Sequence, residues 1–291
     1  MTLASLGIVL CSTFVLGSQT ALATVERPEA NSEATVQFKA DTGTDVPTIV
    51  PPGGGEEAAI DLDGSDGTIG DGNASFNIAY VSNFRFNELA DDDGDGDTKK
   101  FTKFKPIKLN ANGMTLWAKG TQLTLNKIDK EGAIIEPKQT TVYKDIANFV
   151  QVVDNRGELS GWNLQVKADD FKGKDTDDNE VVLKGAAITL TQPSLEGPEG
   201  IELTSPLAPT AFSDEFTITS SAAPIMTAQA GAGTGSWSMK FGQEETLAAA
   251  NYATLVEDTG VKLSIPATAE AKANVAYKAN LNWILTDGPS S

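Results

Sequence analysis

Between residues 75 and 285 the chain consists of short runs in which apolar and polar residues alternate. In the run GWNLQVKA, Trp162, Leu164 and Val166 fall on one side of an extended strand, and polar residues fall on the other. The same pattern recurs in SFNIAYVSNFRF, MTLWAKGTQLTLNKI, GSWSMKFG and AYKANLNWIL, with Gly, Pro, Asn and Asp between the runs. A period of two over short runs indicates antiparallel strands with one buried face. The sequence therefore predicts an all-β domain, an antiparallel β-sandwich or a barrel-like fold.

The first residues indicate a secretory signal peptide over 1–23. Residues 3–16 are almost all apolar or small, and Ala21-Leu22-Ala23 has the small-x-small pattern of a cleavage site. A membrane-spanning helix needs about 20 apolar residues, so no membrane span is expected after cleavage. The chain's one cysteine, Cys11, lies inside this segment. We therefore expect an exported, extracellular protein that has no disulfide and is held together by its hydrophobic core.

Two features of the composition exclude whole classes of function. The chain contains no histidine, which excludes a Ser-His-Asp triad, histidine acid–base catalysis and histidine metal ligands. Its formal net charge is −18, which disfavours binding to nucleic acid or to anionic lipid. Binding to any anionic partner would depend on local stacking, hydrogen bonds or bridging cations, because distant charges are screened.

Residues 24–74 differ in composition from the rest of the chain. The stretch PTIVPPGGGEE combines a proline pair with three glycines, and DLDGSDGTIGDGN has almost no side chain to bury. Low hydrophobicity with excess negative charge does not offset the entropy that is lost on ordering. The sequence predicts a disordered acidic spacer over 24–74, followed by one folded domain over 75–291.

The acidic run ADDDGDGDTKK is a candidate cation site. Asp91, Asp93 and Asp95, followed by Gly96, match the first half of an EF-hand-like loop, so Ca²⁺ is the cofactor that this run would hold. The twelfth position is Thr102 instead of glutamate, and no helix is evident on either side. The alternative interpretation, a solvated acidic turn between two strands, is favoured.

A second acidic stretch, KADDFKGKDTDDNE, is a candidate for carboxylate catalysis, in which two carboxylates hydrolyse a glycosidic bond. Such chemistry requires one acid in an apolar pocket, and neighbouring aspartates in an acidic loop do not provide one. We expect a binding protein and not an enzyme, with no catalytic residue.

Two Trp-x-Leu tripeptides are the most specific feature of the chain. One is Trp162-Asn163-Leu164, in mid-chain, and the other is Trp283-Ile284-Leu285, close to the last residue. Because residues i and i+2 point to the same side of a strand, each tryptophan shares a face with its leucine. On one interpretation these side chains pack in the core, and on the other they contact a wall polymer or a partner protein.

The two tripeptides, together with the phrase YVSNF at 80–84, resemble the WxL family of secreted Gram-positive surface proteins. The resemblance covers roughly residues 75–291 with their alternating strands, and the signal peptide at 1–23 also fits the family. It implies non-covalent attachment to peptidoglycan or an associated wall polymer, and partnership with WxL-interacting surface proteins. It also makes Trp162, Leu164, Trp283 and Leu285 the candidate wall- or partner-binding residues. The alternative is an adhesin whose main ligand is a host extracellular-matrix protein.

Overall fold

The structure is a computed structural model that describes residues 48–51, 53–62, 65–70, 75–91, 100–104, 107–108, 112–130, 132–242 and 257–289. Twenty-one strands and no helix occur in these ranges, so the all-β prediction is confirmed. None of the described residues therefore forms a helix that spans a membrane. The predicted signal peptide, 1–23, lies outside the described residues.

The strands are short and are joined by turns. In chain order they are β1 (Thr48–Ile49), β2 (Ala58–Ile60), β3 (Gly67–Thr68), β4 (Phe76–Ser82), β5 (Glu88–Asp91), β6 (Lys100–Phe104), β7 (Met114–Lys119), β8 (Thr121–Lys127), β9 (Thr140–Ile146), β10 (Phe149–Asp154), β11 (Trp162–Ala168), β12 (Lys172–Lys174), β13 (Glu180–Val182), β14 (Ala187–Thr191), β15 (Pro193–Glu196), β16 (Thr210–Ala211), β17 (Glu215–Thr217), β18 (Ala223–Ala228), β19 (Gly235–Phe241), β20 (Glu257–Ile265) and β21 (Leu281–Asp287).

Four antiparallel sheets make up the body of the protein. We call them the outer sheet (β1-β2-β8-β9), the central sheet (β15-β19-β10-β4-β3), the motif sheet (β16-β18-β11-β21) and the groove sheet (β17-β14-β20-β7). Two hairpins, β5–β6 and β12–β13, complete the set. Every pairing among the described strands is antiparallel.

The central sheet is covered on both faces. Along β10 every residue is buried: Val150 and Val152 enter the large core shared with the motif and groove sheets, while Phe149 enters a smaller core with the outer sheet. The Phe149 ring stacks on Tyr80, with 4.9 Å between ring centroids. Because alternate residues of one strand serve two cores, β10 lacks the polar face that the period of two predicts.

Part of the predicted spacer is folded. Ile49 and Ile60, on β1 and β2, are buried in the smaller core beside Leu123 and Leu125 of β8. Asp66 is also buried, and its carboxylate accepts hydrogen bonds from Arg85 at 2.7 and 2.8 Å. The strands β1 to β3 therefore lie inside the range 24–74, where the sequence predicts a spacer. Isolated apolar residues among glycines and aspartates do not reveal that a second sheet covers them.

The two Trp-x-Leu tripeptides lie on neighbouring strands. β11 and β21 pair over seven residues without a register shift, which places Leu164 opposite Leu285 and Val166 opposite Trp283. Directly opposite residues share a face and pack against each other. The C-terminal strand is therefore held by the ladder to β11 and by a continuous row of apolar cross-strand pairs.

A polar clamp fixes the far end of β21. Arg156 donates two hydrogen bonds to Asp154, at 2.8 and 2.9 Å, and a third to Asp287 at 2.5 Å. The Ser160 hydroxyl donates to the same Asp287 oxygen at 2.6 Å, and the Arg156 guanidinium lies 3.6 Å from the centroid of Phe76. The hydrogen bond from the Ser160 hydroxyl, which has the larger effect, and the one from the Arg156 guanidinium hold the pKa of Asp287 below its usual range.

Gly161 and Gly157 offer a matched test of how closely the first tripeptide is packed. Both have a positive φ, 77° and 76°, but a Cβ on Gly161 would lie 2.5 Å from the carbonyl oxygen of Ala228, whereas Gly157 faces open space. We expect Gly157→Ala to lower the free energy of unfolding by about 1 kcal/mol and Gly161→Ala by about 2–4 kcal/mol. Urea unfolding measures both values, and equal losses would contradict the close approach.

The clamp predicts a pH-dependent contribution to stability. Because the pKa of Asp287 is lowered in the folded state, its contribution is complete above the unfolded-state pKa of about 3.9 and is lost as the pH falls through the folded-state value. Asp287→Asn should therefore be less stable than the parent at about pH 7, and this gap should shrink below about pH 4. Urea midpoints across this pH range test it, with the exposed Glu158→Gln as the control.

Candidate functional site

The first tripeptide lies in the core. Trp162 and Leu164 are both 0% exposed, and the Trp162 indole N–H donates a hydrogen bond to the Gly233 carbonyl at 2.9 Å. Neither side chain reaches a wall polymer or a partner unless the domain opens. The prediction that these two residues bind a ligand is therefore corrected: they pack the centre of the motif sheet, since β11 has a strand on either side.

The second tripeptide lies at the edge of the same sheet. Trp283 and Leu285 are partly buried, with one side of each packed on the core. The Trp283 ring meets Phe84 edge to face, with 6.4 Å between centroids and 73° between the ring planes. Phe84 belongs to the YVSNF phrase, so the second tripeptide and this phrase are in contact in the folded protein.

A groove of about 860 Å³ opens beside this contact. Phe84, Phe86 and Trp283 line it together with apolar side chains of the groove sheet, Met114, Leu116, Ile188, Leu263 and Ile265. Concave sites with aromatic and apolar walls and a few polar groups are the usual form of a ligand-binding site. This groove is the candidate functional site.

One wall of the groove is positioned by Asp66. Its carboxylate accepts hydrogen bonds from Arg85 and from the Asn83 amide, and its backbone carbonyl accepts one from the Asn83 N–H at 3.1 Å. These bonds hold the residues on either side of Phe84, whose ring turns to the core and packs against Phe241 at 6.1 Å. A residue predicted to lie in the spacer therefore fixes the phrase that contacts Trp283.

The opposite wall is the segment 271–280, which leads into β21. Paired backbone hydrogen bonds of 2.8 Å each join Lys278 to Lys172. The Tyr277 hydroxyl accepts a hydrogen bond from the Lys272 backbone N–H at 2.9 Å. The segment is therefore held in place by local bonds and does not depend on a ligand to fix it.

The charged side chains that line the groove are all basic among the described residues. They are Arg85, Lys272 and Lys278, in a chain whose formal net charge is −18. Arg85 pairs with Asp66 at 2.7 Å and Lys272 with Asp175 at 2.9 Å. Lys278 is exposed, and in the described part of the chain its ammonium group has no ion pair. Of the basic side chains that line the groove in the described ranges, Lys278 is thus the one whose charge is not balanced by a carboxylate.

The candidate calcium ligands lie largely outside the described residues. Asp93 and Asp95 are not described, and of Asp91 only the backbone is, at the end of β5. No group of three or more acidic, histidine or cysteine side chains that would hold a metal occurs within the described ranges. The Ca²⁺ site over 91–95 stays a prediction.

Residues 175–179 of the second acidic stretch form the turn between β12 and β13. Asp175 accepts hydrogen bonds from the backbone N–H groups of Asp177 and Asn179, each at 3.0 Å. The hydrogen bond from Lys272, with those from the backbone, lowers the pKa of Asp175. A general acid in glycoside hydrolysis requires a raised pKa, and the lowered pKa of Asp175 is the opposite of this requirement.

Phe84, Tyr277 and Lys278 line the groove but were not predicted from the sequence as site residues. Phe84 stands within the YVSNF phrase, and that phrase was the available signal for it. Tyr277 and Lys278 had no comparable signal, because only the folding of 271–280 over the groove sheet brings them to the site.

Comparison with known proteins gives one match. A family model described as "WxL domain surface cell wall-binding" matches residues 25–289, a range that contains both Trp-x-Leu tripeptides, the YVSNF phrase and the whole groove. No curated protein and no solved structure matches the chain. The family match begins well before residue 75, in agreement with the folded strands β1 to β3. The chain therefore belongs to the WxL-domain family of surface cell wall-binding proteins.

Proposed function

We propose that this surface protein attaches to the cell wall through the groove beside Trp283, and that the ligand is a carboxylate-bearing wall polymer such as peptidoglycan. The observation that carries the proposal is the contact between Phe84 and Trp283 at the rim of a groove of about 860 Å³. The family assigns wall binding to the domain as a whole. The proposal assigns it to one surface.

The aromatic side chains supply the apolar part of recognition. Trp283 and Phe84 are held edge to face and keep part of their surface at the groove, so they lose little conformational freedom when a ligand packs on them. Aromatic rings that are ordered before binding and surrounded by polar groups are typical of the residues that contribute most of the binding free energy in interfaces. The faces of sugar rings are suitable partners because they present C–H groups to an aromatic plane.

The basic side chains supply the polar part. Carboxylates of the stem peptides can pair with Lys278, whose ammonium group has no other ion pair in the described residues. The remaining surface is acidic, so the formal net charge of −18 does not attract an anionic wall from a distance. Attachment is therefore a short-range event at the groove, and it should weaken as the salt concentration rises.

The buried tripeptide has a supporting role in this proposal. Leu164 and Val166 lie opposite Leu285 and Trp283, so β11, which contains the first tripeptide, supports the second tripeptide by cross-strand packing. A change at Trp162 is expected to alter wall binding only through loss of the fold.

Replacement of Trp283 tests the aromatic contact. We expect Trp283→Ala to weaken co-sedimentation with purified walls by about tenfold or more, since buried aromatic anchors dominate binding energies. Trp117→Ala is the matched control, because Trp117 is also partly buried but lies outside the groove. Circular dichroism establishes that both variants are folded. A folded Trp283→Ala protein that sediments as the parent does would refute the proposed site.

Charge reversal at Lys278 tests the polar contact. Lys278→Glu should weaken wall binding by about twofold to tenfold, the range expected for one exposed ion pair that becomes repulsive. Lys138→Glu makes the same change in charge at an exposed lysine outside the groove, and it should bind as the parent does. Equal losses in the two variants would indicate a non-specific effect of net charge.

The same assay separates the other ligands that the sequence suggests. Bare peptidoglycan, a host matrix protein and a wall preparation that retains its secreted surface proteins form three arms. Binding to the matrix protein alone would favour the adhesin alternative. Binding only when other surface proteins are present would mean that a WxL-interacting partner mediates attachment.

A further inference from the structure

β21 presents a free backbone edge that differs from the other sheet edges. In the described residues β21 pairs only with β11, so its other side has no strand. Most edge strands of the four sheets are very short, with two to four residues in β1, β3, β15, β16 and β17. Short edges of this kind protect a sheet from joining another chain.

The two other long edge strands are protected in different ways. β9 contains Lys144 and Asp145, and its pairing with β8 has a register shift. The pairing of β7 with β20 is also shifted, and β7 ends in a lysine. β21 has seven residues, an unshifted register and a single charged residue, Asp287, at its end. Because charges, proline and bulges are the usual protection of an edge, the edge of β21 is open to pairing.

The sequence of β21 is suited to pairing with itself. In an antiparallel pair centred on Ile284, Trp283 of one copy faces Leu285 of the other, and Asn282 faces Thr286. The inner pairs are thus aromatic with aliphatic and polar with polar, and the outer pair places Leu281 opposite Asp287. No like charges lie opposite each other. Aromatic–aliphatic cross-strand pairs are favourable.

We propose that β21 pairs antiparallel with β21 of a second copy of this chain, about a two-fold axis at Ile284. The motif sheet of one copy then continues into the motif sheet of the other. Leu164 and Leu285 of one copy lie in a row with Trp283 and Val166 of its partner, so the row formed by the two tripeptides runs through both copies. The interface is isologous and closes after two subunits.

The charge of the chain does not prevent this contact but weakens it. Within β21 the only charge is Asp287, and it is already paired with Arg156. The formal net charge of −18 on each copy repels at longer range, and salt screens this repulsion beyond about 8 Å at physiological ionic strength. The dimer should therefore become stronger as salt rises, which is the opposite of the salt effect expected for wall binding.

Two charge variants test the pairing and its register. Asn282 and Thr286 are exposed and do not line the groove. In the double variant Asn282→Lys/Thr286→Lys, the lysine at position 282 of each copy faces the lysine at position 286 of the other. The two repulsive pairs should lower dimer affinity by about tenfold. In Asn282→Lys/Thr286→Glu each lysine faces a glutamate, and the dimer should form at least as well as in the parent. Sedimentation velocity over a concentration series measures both.

A cysteine at the axis provides a second measurement. The chain has one cysteine, so in a Cys11→Ser background Ile284→Cys is the only thiol. Directly opposite Cβ atoms in an antiparallel pair are about 4.5–5.5 Å apart, and mild oxidation should join them with little movement of the strands. Thr210→Cys, exposed on the opposite edge of the motif sheet, is the matched control and should stay monomeric.

The outcomes decide the proposal independently of wall binding. The proposal is supported if the parent forms a concentration-dependent dimer, if Asn282→Lys/Thr286→Lys weakens that dimer and if Asn282→Lys/Thr286→Glu does not. It also requires cross-linking at position 284 and none at position 210. A parent that stays monomeric at every concentration and salt, or a Lys/Lys variant that dimerises as the parent does, overturns it. If the Lys/Lys variant fails to fold, the cross-linking result decides. Wall co-sedimentation of the monomeric variant shows whether the groove works without the dimer.

Discussion

The pairing of β11 with β21 is the interaction on which the rest of the structure depends. The two strands are separated by more than a hundred residues of chain, and β21, the last described strand, completes the motif sheet by pairing with β11. The opposition of Leu164 to Leu285 and of Val166 to Trp283 joins the ladder to the large core. The Arg156–Asp287 clamp then fixes the end of the last strand.

This pairing explains why one signature has two physical roles. β11 lies inside the motif sheet and its tryptophan and leucine face the large core, so both are fully buried and hold the fold together. β21 has a strand on one side only, so its tryptophan keeps part of its surface at the groove and touches Phe84. The two tripeptides have the same local pattern, and their position in the sheet decides which one can meet a ligand.

The acidic composition and the wall-binding family are compatible because the charges are unevenly placed. Among the described residues the charged side chains that line the groove are basic, and Asp66 and Asp175 hold two of them in position. A protein that is acidic overall can therefore present a basic contact site, since charges separated by more than about 8 Å are largely screened at physiological salt.

Alternation of apolar and polar residues was enough to predict the all-β class, and the two tripeptides with YVSNF were enough to predict the family, because both are properties of neighbouring residues. The burial of Trp162, the partial exposure of Trp283, the folded strands at 48–68 and the position of Lys278 at the groove were not predictable in this way. A strand's period shows which residues share a face, but not whether another sheet covers that face or whether another strand lies alongside. Those outcomes depend on contacts between residues far apart in the chain, and only the tertiary structure decides them.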